Sequence, residues 1–191
     1  VKYGAGELEE AFAELLGDLV RVLDRVGAPW MLIGGLAVGA WTEPRGTKDC
    51  DLAIAIPEDV EQLAGALSEI GLVVFAGDLE RAREGGAVRL RAERAAGPPL
   101  VVDLLCAGTA FETEALQRRT TATVLGVTLP VVSADHLLVY KLIAGRPQDL
   151  ADIDKLVRFG KAPVDEPNVR RWAREWGVET RLDAALETAR R

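Results

Sequence analysis

Asp49 and Asp51 stand two residues apart in the apolar run DCDLAIAI, and a third acid, Asp103, stands inside PLVVDLLC. Side chains alternate along a strand, so Asp49 and Asp51 share one face while Cys50 and Leu52 point to the other. Acids embedded in apolar sequence need a partner or a metal. Magnesium takes hard oxygen ligands and keeps several waters, so two carboxylates and a substrate phosphate suit it. For Asp103 the alternative is a set of backbone hydrogen bonds or an arginine partner. Gly34 and Gly35 follow the apolar WMLI. Glycine lets backbone approach a phosphate closely, and a helix expected over residues 36–41 would aim amide hydrogens at it. Arg45 and Thr47 fall on the acid side by strand parity, where a guanidinium fork and a hydroxyl suit phosphate oxygens. Lys48 falls on the opposite face, and Arg45 reads equally well as a solvated loop arginine.

A second polar group, Lys141, Arg146, Asp149 and Asp152, interrupts the apolar LLVYKLIAGRPQDLADI. A lysine in such company either snorkels outward or meets a phosphate or carboxylate. A helix N-terminus favours negative charge, which accounts for Asp149 well and for Asp152 less well. His136 is the one histidine and reads as an early-turn helix residue, because alone it makes neither a triad nor a metal cluster. Trp172 and Trp176 lie four apart, a spacing that favours core packing over a base-stacking platform.

The elements that must position these residues follow from periodicity. Leu8, Phe12, Leu15, Leu19, Leu23 and Val26 mark an amphipathic helix over residues 7–26, ended by Gly27 and Pro29. Strands are expected over 30–33, from Asp49 to the stop at Pro57, and over 72–75, 87–92 and 100–106. A helix over 58–70 ends at Gly71. A weaker helix spans 109–118, and a hairpin pairs 120–124 with 127–131 around Gly126. Ser133 caps a helical remainder over 134–144, 147–159, 166–176 and 179–190, with Pro147 at a first helical position. A boundary near 130–133 divides residues 1–132, an α/β part, from residues 133–191, a helical part.

The length, 191 residues, suits one domain or a domain with an appendage. No apolar run reaches the length of a membrane span and no signal pattern opens the chain, so a cytoplasmic place is expected. Cys50 and Cys106, each in an apolar strand beside an acid, read as buried thiols in a reducing compartment. A net charge of −7 argues against a protein that coats nucleic acid nonspecifically. The arginines at 81, 83, 89, 91 and 94 and at 170, 171, 174 and 181 are interleaved with acids and read as solvated ion-paired faces.

Gly-Gly at a strand end, thirteen residues between Gly35 and Asp49, an Asp-x-Asp and a later lone Asp together resemble the polymerase-beta-like nucleotidyltransferase superfamily. Within it, RGTKDCD and KLIAGRPQDLADI look like the abortive-infection type IV toxins, a resemblance over about two-thirds of the chain. It implies an α+β fold, a mixed and mostly antiparallel sheet flanked by helices with a helical C-terminal part. It implies transfer of a nucleotide from a nucleoside triphosphate to an acceptor hydroxyl, with two Mg2+ (or Mn2+) ions held by Asp49, Asp51 and Asp103. Gly34, Gly35, Arg45, Thr47, Lys141 and Arg146 would then bind the nucleotide, and Asp149 and Asp152 would orient Lys141 or Arg146. The expected partners are a tRNA acceptor and a cognate antitoxin protein. The alternatives are a small-molecule, antibiotic-modifying transferase and an inactive binding module of the same fold. Leu36 departs from the small polar residue that often follows the glycines.

Overall fold

The computed structural model describes residues 4–43, 46–47, 49–83, 87–92 and 100–189, the side chains of 5, 76 and 87–92 aside. Helix α1 (Ala5–Val26) leads to β1 (Trp30–Ile33), α2 (Gly34–Trp41) and β2 (Asp49–Ile54). After α3 (Val60–Ser68) come β3 (Leu72–Val73), α4 (Ala76–Arg83), β4 (Ala87–Ala92) and β5 (Val101–Cys106). Next are α5 (Ala110–Gln117) and a hairpin of β6 (Thr120–Val124) and β7 (Val127–Val131). Four helices close the chain: α6 (Ala134–Ala144), α7 (Pro147–Phe159), α8 (Glu166–Glu175) and α9 (Glu179–Ala189).

The strands form one seven-stranded sheet in the order β3-β4-β5-β2-β1-β7-β6. Only β1–β7 and β2–β5 pair in parallel; the other four pairings are antiparallel, the mixed, mostly antiparallel sheet expected. Because β2 and β5 run the same way, the chain must cross back between them, and α3, β3, α4 and β4 fill that crossover. The alternation read in DCDLAI is realised: Cys50, Leu52 and Ile54 are buried, while Asp49 and Asp51 are partly open on the other face. Leu15, Leu16, Leu19 and Leu23 of α1 pack in the same apolar cluster as these strand residues. Gly27, at φ 75, ends α1 by donating its amide to Leu23 O, the left-handed turn that glycine makes without strain.

A second apolar cluster gathers Phe111, Leu138, Val139, Leu142, Ile153, Val169, Trp172 and Leu182. Helix α6 serves both clusters, with Leu137 in the first and Leu138, Val139 and Leu142 in the second. Trp41, at the end of α2, adds a polar tie: its indole Nε1 donates to Val132 O at 2.8 Å, and its carbonyl accepts from the Lys161 amide at 2.8 Å. No helix among the described residues is long and apolar enough to cross a membrane.

Two expectations are corrected. The strand expected over 72–75 has only Leu72 and Val73, and residues 76–83, where no element was expected, form α4. In AGDLERAR, among the described side chains, Leu79 and Ala82 are the apolar buried ones, too few to reveal a helical period. Cys50 and Cys106 are free and buried, as expected. Trp172 is buried against Phe111 with ring centroids 5.2 Å apart, whereas Trp176 is 42% exposed and only its edge meets Phe111.

Trp41→Phe removes the donor to Val132 O and the part of the ring that carries it. Urea unfolding of this variant is expected to show a loss of at least about 1 kcal/mol, the net worth of one such hydrogen bond; an unchanged midpoint would mean that the tie is redundant.

Candidate functional site

The register of β2 against β5 sets Asp51 directly opposite Asp103, with Asp49 opposite Val101. Directly paired residues of neighbouring strands share a face, so the three carboxylates lie together on one side of the sheet. Burial, followed by the charge of Asp103, raises the Asp51 carboxyl above the ordinary range; the Gly35 amide pulls it back, Asp49 pushes it up and Lys141 lowers it. Burial and the same two acids, Asp51 and Asp103, push the Cys50 thiol far up, so it stays protonated and inert behind the site.

Gly34 stands at φ +68 where β1 turns into α2. A Cβ there would strike Asp51 Oδ2 and lie 2.5 Å from Asp51 Cγ. The glycine therefore has two physical reasons: a left-handed turn and room for the carboxylate beside it. Gly35 then opens α2 with its amide on Asp51. The helix begins at Gly34 rather than at Leu36, so both glycines lie in its first turn. That placement puts the positive end of the helix at the acids. The Thr47 hydroxyl donates to Asp49 O at 3.2 Å, fixing the entry to β2. Arg45 and Lys48 lie outside the described residues.

On the facing side, Lys141 is 5% exposed and its Nζ lies 2.9 Å from both Asp149 Oδ1 and Asp152 Oδ2. Arg146 donates to Asp149 Oδ2 through Nε at 2.6 Å and through its amide at 3.2 Å. Burial raises the Asp149 carboxyl, but the bonds from Arg146 and Lys141 outweigh it and hold the group below its ordinary range. The two aspartates thus clamp Lys141, and Asp149 also fixes the Arg146 cap of α7. Arg146 remains largely exposed, and its charge reaches Asp51 as well as Asp149 and Asp152. One turn and one helix start therefore set a lysine and an arginine within electrostatic reach of the acids on the sheet.

The donors on the sheet are carboxylate oxygens, the chemistry of a hard cation. Among the described residues no three acidic, histidine or cysteine side chains converge on a ready-made metal cage. Carboxylate oxygens suit magnesium, which is held by one or two carboxylates and completed by waters and phosphates.

His136 is more than an early-turn residue. It is fully buried, with Nδ1 2.8 Å from Ser133 Oγ and Nε2 3.2 Å from Glu114 Oε1. Glu114 also accepts from Arg171 at 2.6 Å and from Trp172 Nε1 at 3.2 Å, and Asn168 Nδ2 donates to Asp135 Oδ2 at 2.7 Å. This network joins α5, α6 and α8. Its sequence signal was a run of two polar residues, Asp135 and His136, in a helix otherwise apolar through Leu142 except at Lys141.

A glycine turn leading from one strand into a helix, an acid pair on the next strand and a third acid opposite it define a nucleotidyltransferase fold. An antigenic nucleotidyltransferase-like protein from Paracoccidioides brasiliensis shares it with a TM-score of 0.52 and 18% identity, over 98% of this chain and 95% of that one. The solution structure of the antibiotic-resistance factor ANT(2'')-Ia shares it with a TM-score of 0.54 and 17% identity, over 94% and 97%. A crystal structure of ANT(2'')-Ia in complex with adenylyl-2''-tobramycin gives 0.51 and 15%, over the same shares of the two chains, 94% and 97%. The family described as nucleotidyl transferase AbiEii toxin, type IV toxin–antitoxin system, matches residues 17–188, and the chain belongs to it. The protein is a nucleotidyltransferase of a toxin–antitoxin family. No curated protein matches the chain.

Gly34→Ala should displace Asp51 and strain the turn, lowering stability by about 1 kcal/mol or more and reducing nucleotide transfer; a variant with wild-type activity would remove Gly34 from the site. Asp51→Asn should do the opposite to stability. Because the folded-state pKa of Asp51 is raised, the native protein holds this proton more tightly than the unfolded chain. Its ionisation therefore costs stability as pH rises from the ordinary carboxylate pKa through the raised one. Thermal unfolding should show Asp51→Asn more stable than wild type at neutral pH, with the gap closing in acid; a less stable variant at neutral pH would refute the sign.

Proposed function

We propose that the protein moves a nucleotide from a nucleoside triphosphate to a hydroxyl of a cellular acceptor, a tRNA, as the toxin of a toxin–antitoxin pair. The observation that carries this reading is the pairing of Asp51 with Asp103 across adjacent strands, beside the Gly34–Gly35 turn and facing Lys141 and Arg146. Asp49, Asp51 and Asp103 would hold magnesium or manganese, two ions, which would supply charge stabilisation to the attacking oxygen and to the pyrophosphate that leaves. The residues of the chain do the rest. The first turn of α2 offers amide hydrogens to the triphosphate. Arg146, exposed and within electrostatic reach of the acids, takes phosphate oxygens through its fork, and the Thr47 hydroxyl would join it by turning from Asp49 O. Lys141, held by Asp149 and Asp152, lies within electrostatic reach of Asp51 and would meet the same group through its ammonium. Asp103 receives the proton of the attacking hydroxyl.

Residues 1–132 carry the acids and the glycine turn, and residues 133–191 carry the cations, so each part supplies half of the site. A cognate antitoxin is the expected protein partner, and the cytoplasm, where triphosphates and tRNA meet, is the expected place of action.

The test is incubation of the purified protein with each α-labelled nucleoside triphosphate, magnesium or manganese, and separate pools of total tRNA and aminoglycosides. Label on tRNA is expected, and Asp103→Asn should reduce it by about 100-fold or more, as removal of one charge-stabilising group does elsewhere. Label on aminoglycosides alone would shift the acceptor to a small hydroxylated cation. No label, with no triphosphate binding by calorimetry, would leave a binding module.

A further inference from the structure

Of the C-terminal arginines, Arg170, Arg171 and Arg174 pair with acids: Asp183, Glu114 and Glu179 respectively. Arg181, on α9, does something else. Its Nη1 donates to Leu142 O, and to Ile143 O at 3.4 Å, the last carbonyls of α6. The next residues make the turn into α7. Gly145 sits at φ +61 and donates its amide to Lys141 O at 2.9 Å. A Cβ on Gly145 would meet Arg181 Nη1 and lie 2.6 Å from Arg181 Cζ. The guanidinium therefore fills the hollow that the glycine leaves. A cation at the carbonyl end of a helix is also favoured by the helix dipole. Arg146 follows immediately, with its amide on Asp149. Arg181 is exposed, as expected of a solvated face, but its guanidinium bonds main-chain carbonyls where an acid partner was expected.

We propose that Arg181 is a positioning residue for nucleotidyl transfer: it clamps the α6–α7 turn and thereby sets where Arg146 and Lys141 stand relative to Asp51. The role rests on the reading of Arg146 and Lys141 as triphosphate ligands given above. The clamped carbonyls lie at a helix end beside an exposed residue, where water can replace the guanidinium, so the fold survives its loss. The turn does not keep its shape as firmly, and misplacement of charged groups falls on substrate binding and on the chemical step.

The experiment uses the full chain with Arg181→Ala and Arg181→Lys. Arg181→Ala should raise KM for the triphosphate about tenfold, with a melting temperature close to wild type. Millimolar guanidinium should restore part of the loss. Arg181→Lys should fall between, because an ammonium brings the charge without the planar fork. In an Arg146→Met background Arg181→Ala should have a clearly smaller effect, since one of the two groups it positions is gone. Unchanged KM in either Arg181 variant, or full additivity with Arg146→Met, overturns the role. Should Arg181→Ala not fold, Arg181→Lys alone decides by the same readout. Transfer by the wild type with an unaffected Arg181→Lys overturns the role alone. No transfer and no triphosphate binding by the wild type overturns the function and the role together.

Discussion

Like charges forced side by side are the constraint from which the rest of this structure follows. Asp51 and Asp103 are direct neighbours on parallel strands, and Asp49 stands two residues away on the same face. Folding alone does not favour such a cluster, as the raised Asp51 carboxyl records. Its position nevertheless admits little freedom. A slip of β5 by one residue against β2 would turn Asp103 into the core and Val102 and Leu104 out of it. The fully buried Cys50, Leu52, Val102 and Leu104 therefore hold the acids in place by their own need for burial. The apolar side of each strand is what enforces the electrostatic cost on the other.

The compensation is drawn from two directions. From within the sheet comes the start of α2, where Gly34 leaves room and the Gly35 amide reaches Asp51. From the helices comes Lys141, itself buried between two aspartates. A buried lysine with one carboxylate would be neutral; with two, the trio carries excess negative charge, which Arg146 balances through Asp149. Breaking such a group by removing one member costs more than the group ever contributes, because it strands a buried charge. The arrangement thus fixes geometry more than it adds stability. Helix α6, shared by both apolar clusters, carries that geometry to the sheet.

The acids were legible in the sequence because a period of two on a half-buried strand leaves a mark that few other structures make. DCDLAI and VVDLLC show it, and so does the hairpin around Gly126. The cluster at 141–152 was legible as polar residues in apolar company. Its internal assignment was less so: nothing local says that Asp149 and Asp152 both grip Lys141. Contacts across long stretches of chain left no trace at all. Glu114 meets Arg171 and Trp172 from 57 and 58 positions away, and Arg181 reaches Leu142 across 39. A guanidinium on a main-chain carbonyl is invisible to any pattern of side-chain types. Helix α4 was missed for a different reason, since two buried residues, Leu79 and Ala82, do not make a period.

The two acidic groupings have opposite dependence on pH. Burial raises the Glu114 carboxyl, yet bonds from Arg171 and Trp172 and the charges of Arg171 and His136 bring it down to about 2. Burial likewise opposes Asp135, and bonds from His136, Ser133 and Asn168 hold it lower still. Stability from these depressed groups is present above the ordinary carboxylate pKa and lost as pH falls through the depressed values. Glu114 is partly open to solvent, so its share is screened. Asp51 behaves in the reverse sense, its ionisation weakening the fold as pH rises. At neutral pH the site is therefore the strained region, and the network joining α5, α6 and α8 offsets it. Because α6 belongs to both, the helix that is tied down by Asp135 and His136 at its start is the one that delivers Lys141 at its end. The network stabilises the support on which the strained carboxylates and their facing cations depend, which is why it lies away from the chemistry and not within it.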